Sequence, residues 1–196
     1  MTITRDATAP TLNPSVAPSP VILNGSATTT PNANDNASGV ASASCDAVST
    51  GTVGTNQTVA CRATDNAGNA ASATASYAVR YQFVGFSAPV DGGSVLNVAK
   101  GGQTIPLKWQ LLDAHNVPVT TLSGATVTVA NLPCAVGTSA DQLGESATGA
   151  SGLQNLGGGY YQLNWQAPKS YAGSCKTLQL NLSEGSPRTA LFQFTK

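Results

Sequence analysis

From Gln57 to Thr64 polar and small apolar side chains take turns, and the same two-residue rhythm returns along most of the chain. A period of two belongs to a β-strand, whose successive side chains point to opposite faces. Val59, Cys61 and Ala63 then take a buried face, and Thr58, Ala60, Arg62 and Thr64 the other. Asp65-Asn66-Ala67-Gly68-Asn69 supplies a turn, since Asn and Gly tolerate left-handed backbone and Asp caps its own turn. Ala71 to Val79 resumes the alternation, which completes a hairpin. Further along, Ile105, Leu107, Trp109 and Leu111 share one face, followed by a turn at Asp113-Ala114-His115-Asn116. Ala125, Val127 and Val129 line the next strand. Tyr161, Leu163 and Trp165 line another, then Leu178, Leu180 and Leu182, then Ala190, Phe192 and Phe194. No segment sustains a 3.6-residue apolar period, and turn signals about 8–12 residues apart predict an all-β sandwich or barrel. Pro106, near the start of its strand, predicts an edge position, because proline cannot donate to a ladder.

The 196 residues suffice for two ordinary domains. Tyr77 to Phe86 runs on without a Gly/Ser/Pro linker, so the expected boundary falls at Arg80–Tyr81 inside one shared strand. That gives domains 1–80 and 81–196 with a stiff joint, since flexible linkers are Gly/Ser-rich. Flexibility is expected instead in Leu12 to Pro20, with its three prolines, and in a long Gly-rich loop from Gly137 to Gly159. The first domain is rich in small residues, whereas the second holds both tryptophans and all four phenylalanines.

Nine basic and nine acidic residues cancel, and none of them form a run. No field gathers nucleic acid or an anionic membrane, and no apolar run is long enough to span a bilayer as a helix. The cysteines are Cys45, Cys61, Cys134 and Cys175, too dispersed for structural zinc with His115 as the sole histidine. Four cysteines allow three pairings. A division near residue 80 leaves two in each half, and the simplest pairing is then Cys45–Cys61 and Cys134–Cys175. Two such loops stabilise their folded halves by about 3 and about 4 kcal/mol in the chain-entropy view. Disulfides imply an oxidising, exported setting. Met1-Thr2-Ile3-Thr4 lacks the pattern of a signal peptide, so the sequence reads as a segment of a longer exported protein.

Asp6-Ala7-Thr8-Ala9-Pro10-Thr11, Ser38-Gly39-Val40 and Cys61-Arg62-Ala63-Thr64-Asp65-Asn66-Ala67-Gly68-Asn69 together resemble the hyalin-repeat (HYR-like) modules of bacterial proteins, over about residues 5–80. The second half is similar to the PxKF module that often follows such repeats. The matching stretches are Ile105-Pro106-Leu107-Lys108-Trp109, with Trp109 where that module's name has Phe, Tyr81 to Phe86, Pro89-Val90-Asp91, Leu96-Asn97 and Ala172-Gly173-Ser174-Cys175-Lys176. The resemblance implies two tandem Ig-like β-sandwich domains, an extracellular or cell-surface setting and a non-catalytic role in adhesion or spacing.

Candidate sites are few. Nucleophilic catalysis needs a base, usually histidine, held by a third group, and His115 lies in a turn. Glu145 and Glu184 fall in a loop and at a strand end, a poor pair for glycoside hydrolysis. The chain is therefore expected not to be an enzyme. Asp6, Asp35 and Asp65 occupy turn or terminal segments that a sandwich can gather at one pole, the oxygen-rich setting calcium takes. Competing with that, Asp35 and Asp65 simply cap their own turns. Lys108 raises the thought of an isopeptide bond, but alternation points it away from Leu107 and Trp109. Tyr160 and Tyr171 lie off the inward pattern and are candidates for stacking on sugar rings. The leading expectation is a rigid spacer or adhesion segment of a larger secreted or surface protein. The rivals are a carbohydrate- or polymer-binding accessory module of an extracellular hydrolase and a self-assembling surface subunit.

Overall fold

The computed structural model describes residues 5–134, 138–143 and 152–196, with the side chains of 138–142 excepted. The chain divides into two compact units, Met1–Arg80 and Tyr81–Lys196.

Unit 1 contains β1 (Thr11–Leu12), β2 (Ser15–Ala17), β3 (Val21–Ile22), β4 (Thr28–Thr30), β5 (Ala33–Asn34), β6 (Val40–Cys45), β7 (Gly54–Asp65) and β8 (Ala70–Arg80). Its main sheet has the order β3-β8-β7-β6, and the two-stranded ladders β1-β5 and β2-β4 complete it. The long β7–β8 hairpin follows from the alternation: Val59, Cys61 and Ala63 are buried, while Thr58 and Arg62 are exposed. Val21, Val59, Ala75, Tyr77 and Val79 form the core, with Val16, Leu23, Ala27, Val48 and Val53 packed on it. Leu12 to Pro20, expected to be a flexible tether, instead contains β2, whose Ser15, Val16 and Ala17 pair with Thr30, Thr29 and Thr28. Its prolines flank that ladder, so they remove no donor from it.

Unit 2 comprises β9 (Gln82–Ser87), β10 (Val95–Lys100), β11 (Thr104–Leu112), β12 (Thr126–Leu132), β13 (Thr138–Gln142), β14 (Leu153–Gly157), β15 (Tyr160–Gln166), a 3₁₀ turn at Lys169–Tyr171, β16 (Cys175–Asn181) and β17 (Arg188–Thr195). Two sheets form, ordered β12-β16-β17-β10-β13 and β14-β15-β11-β9. Ile105, Leu107, Trp109, Leu111, Tyr161, Leu178, Leu180, Phe192 and Phe194 are at most 1% exposed, so this core is aromatic and branched where that of unit 1 is small. Trp165 is only half-buried and meets Phe192 and Phe194 edge-on. The strand-dominated sheets make the fold an all-β architecture.

Three expectations change. β11 is a central strand, paired on both sides. Pro106 is tolerated because the ladder to β9 begins only at Lys108, so Pro106 faces Asn164 of β15 alone. The Gly137–Gly159 stretch holds β13 and β14 rather than one loop, with residues 144–151 outside the described residues. The shared strand is two strands, because β8 stops at Arg80 and β9 starts at Gln82. At Tyr81 between them, the N–H donates to Glu184 Oε2 instead of a neighbouring strand. The Tyr81 carbonyl accepts from Arg188, which also pairs with the wholly buried Glu184.

Candidate functional site

In unit 1 three separate segments bring carboxylates together. Oxygen atoms of Asp6, Asp35 and Asp65 lie within 4.8 Å of one another. Each is placed by a short local turn. Asp6 Oδ1 accepts the Thr8 N–H at 2.9 Å. Asp35 Oδ1 accepts from the N–H groups of Ala37, Ser38 and Gly39 at 3.1, 2.8 and 2.7 Å. Asp65 Oδ1 accepts from Ala67 and Asn69 at 2.9 and 2.8 Å. Turn capping is thus real for all three, yet it uses one oxygen of Asp6 and one of Asp35 and leaves the second. Asp6 Oδ2 is buried with no hydrogen-bond partner.

Two amides tie these segments to one another. Asn69 Nδ2 donates to Asp65 Oδ2 at 2.8 Å and reaches the carbonyls of Asp6 and Thr8 at 3.4 and 3.3 Å. Asn66 Nδ2 donates to the carbonyls of Ser38 and Gly39 at 2.8 and 3.2 Å. The stretches Asp6–Thr11, Ser38–Val40 and Asp65–Asn69, with contacts between residues 28 and 63 positions apart in the chain, therefore meet in space. The role of Asn66 and Asn69 was not foreseen, although their place in an Asp-Asn-Ala-Gly-Asn turn was the available signal. Burial pushes the Asp65 carboxyl up, but the Asn69 side chain and the N–H groups of Asn69, Ala67 and Gly68 outweigh it and hold the carboxyl below its ordinary 3.8. Three hard oxygen donors of like charge form a set suited to a hard divalent cation and unsuited to zinc or copper.

The cysteines pair as Cys45–Cys61 and Cys134–Cys175, one bond in each unit, and no cysteine is free. Cys45 and Cys61 are direct cross-strand partners in the β6–β7 ladder.

The two tyrosines do not meet. Tyr160 opens β15 opposite Gln110 and is 45% exposed. Tyr171 lies past the other end of β15, a strand about 20 Å long. Its ring is half-buried, 5.6 Å from Phe194, with the Lys176 ammonium 4.7 Å above it. Tyr160 is therefore open to a ligand, and Tyr171 has one face taken by a cation. Lys108 shares the outward side of β11 with its cross-strand partners Gln162 and Ser87, while its neighbours Leu107 and Trp109 are wholly buried.

His115 is exposed in its turn. Asp113 accepts the backbone N–H groups of His115 and Val117, so this carboxylate shapes the turn. Glu184 is locked in the buried pair with Arg188 and the Tyr81 N–H, which leaves it structural, and Glu145 lies outside the described residues. Burial and the neighbouring Glu184 and Tyr161 raise the Tyr81 phenol above 10.

No family model matches the chain, and no curated protein does. Among solved structures it is similar to domains 4 and 5 of the S-layer protein SbsC, at 15% identity and TM-score 0.30, covering 72% of this chain and 66% of that one. It is also similar to the titin I-band fragment I67-I69, at 10% identity and TM-score 0.29, with 96% and 66% covered. A third similarity is to an endo-fucoidan hydrolase of glycoside hydrolase family 107, at 13% identity and TM-score 0.23, with 81% of this chain and 28% of that one covered. Likenesses this distant carry no argument about this chain.

Proposed function

We propose that this chain is a non-catalytic extracellular segment of a larger protein, a pair of Ig-like modules that spaces or presents other parts at a bacterial surface. The observation that carries the reading is that each unit is self-sufficient, with its own core and its own disulfide. Disulfides suit an oxidising compartment, and the neutral charge balance suits a part that attracts no polyelectrolyte. Kinship with hyalin-repeat and PxKF modules belongs to this proposal. Tyr81 alone separates the terminal strands of the two units, which supports a stiff connection. Small-angle scattering tests it: a single narrow distribution of sizes is expected, and independently tumbling units would sink the spacer role.

A second reading concerns unit 1 and is carried by Asp6 Oδ2, a buried carboxylate oxygen without a partner beside two further carboxylates. Asp6, Asp35 and Asp65 would hold calcium, which would tie the N-terminal segment to the β7–β8 turn. Calcium at millimolar concentration should then raise the melting temperature, and Asp6→Asn should abolish the rise. A melting curve indifferent to both calcium and chelator rejects it. For the glycan-binding rival, Tyr160 is the residue to test. Loss of polysaccharide retention in Tyr160→Ala would support that role, and no retention by the parent chain would remove it.

A further inference from the structure

We propose that β12 is the surface through which two copies of this chain associate, by antiparallel addition of β12 to β12. Sheet edges carry unpaired N–H and C=O groups, and proteins blunt them with bulges, charges, prolines or short length. Each of the other edges of the three larger sheets carries such a device. β14 is irregular between Asn155 and Gly157, β9 at the positions facing Gln110 and Leu111, and β6 between Val40 and Ser42. The β13 ladder shifts between Leu96 and Val98, and β3 is two residues long.

β12 has none of these devices. Thr126 to Leu132 pairs with Asn181 to Cys175 over seven consecutive residues without a shift, and among the described residues β16 is the only strand it pairs with. Its sequence, Thr-Val-Thr-Val-Ala-Asn-Leu, has no charge, proline or glycine and is rich in β-branched residues. Thr126, Thr128 and Ala130 are exposed, and Val127 and Val129 are only half-buried. A strand laid along this edge would cover both valines and pair the outer backbone groups.

The occupant that fits is the same strand of a second copy. Two-fold pairing is self-complementary. With the axis at Val129, Thr128 faces Ala130 and Val127 faces Asn131 of the other copy, so uncharged residues meet throughout. The nearest cation, Lys176, donates to Asn131 at 2.6 Å, and the axis puts the two copies of it toward opposite ends of the joint, where they do not repel.

Sedimentation of the full chain across a concentration series tests the proposal. A concentration-dependent dimer is expected, with amide exchange over Thr126–Leu132 slowing as the dimer forms. Thr128→Lys sets like charges into the joint and should weaken association by at least about tenfold. Leu156→Lys on the bulged β14, at a residue 54% exposed, should leave association unchanged. Tryptophan fluorescence confirms that each variant is folded, and Ala130→Lys replaces Thr128→Lys should the latter unfold. A monomer at every concentration overturns the proposal. So does a dimer that both lysine variants weaken equally, because the contact would then not be β12.

Discussion

The two units solve the same local problems with the same devices and fill their interiors in opposite ways. Asp65 and Asp113 each close a hairpin by accepting from the N–H groups two and four residues on. In both turns the residue three positions after the aspartate has positive φ, +91° at Gly68 and +60° at Asn116, where only Gly and Asn sit easily. Each unit also uses one buried tyrosine to hold a strandless segment at two points. Tyr77 Oη donates to the Ser49 carbonyl at 2.8 Å and accepts the Ser49 N–H at 3.2 Å. Tyr161 Oη donates to the Val119 carbonyl at 2.8 Å and accepts the Leu122 N–H at 3.1 Å. Around these shared fixtures unit 1 packs valine and alanine with Tyr77 as its sole aromatic, whereas unit 2 packs tryptophan, phenylalanine and leucine. Backbone architecture is thus set by turn and tether residues, while the identity of the core sets how much apolar surface is buried.

That comparison can be broken experimentally. The largest effect is expected from Phe192→Ala, which empties a wholly buried site stacked on Phe194 and should cost unit 2 about 3–5 kcal/mol. Both tryptophans lie in unit 2, so their fluorescence follows that unit, and circular dichroism should retain an unshifted unit 1 transition. Next is removal of Cys45 and Cys61 together by alanine, expected to cost about 3 kcal/mol. With its small-residue core unit 1 should then melt far below unit 2; equal melting would show that the disulfide is not what offsets the thin core.

The tyrosine tethers give a smaller and more symmetric effect. Tyr77→Phe and Tyr161→Phe each strip a donor and an acceptor from one backbone segment, at about 1–3 kcal/mol apiece in chemical denaturation. Similar costs would confirm a shared device in unlike surroundings, and a cost confined to one unit would end the analogy. The smallest effect concerns acid. The folded Asp65 carboxyl sits below 3.8, so its contribution is complete above that value and fades as pH falls through the depressed one. Unit 1 should lose this part of its stability only below about pH 3.8, and Asp65→Asn should flatten that slope.

Strand faces were legible because alternation reports burial directly: Val59, Cys61 and Ala63 lie inside as the pattern requires. What stayed hidden depended on partners far along the chain. Pro106 sits in a central strand only because β9 stops short of it. Glu184 reads only as an acid at a strand end until Tyr81, 103 residues away, donates to it. Among the acidic residues, the turn chemistry of Asp35 and Asp65 and the grouping of Asp6 with them were readable, but the buried, unpartnered oxygen of Asp6 needed the fold.

The disulfides also set how the chain answers a pull on its ends. Residues between two bonded cysteines cannot lengthen while the bond holds, even after the surrounding strands have come apart. The Cys45–Cys61 loop spans 16 positions and the Cys134–Cys175 loop 41. At about 3.3–3.6 Å per extended residue, they withhold about 55 Å and about 140 Å of contour length. Pulled from its ends, the reduced chain would therefore reach about 200 Å further than the oxidised one before going taut.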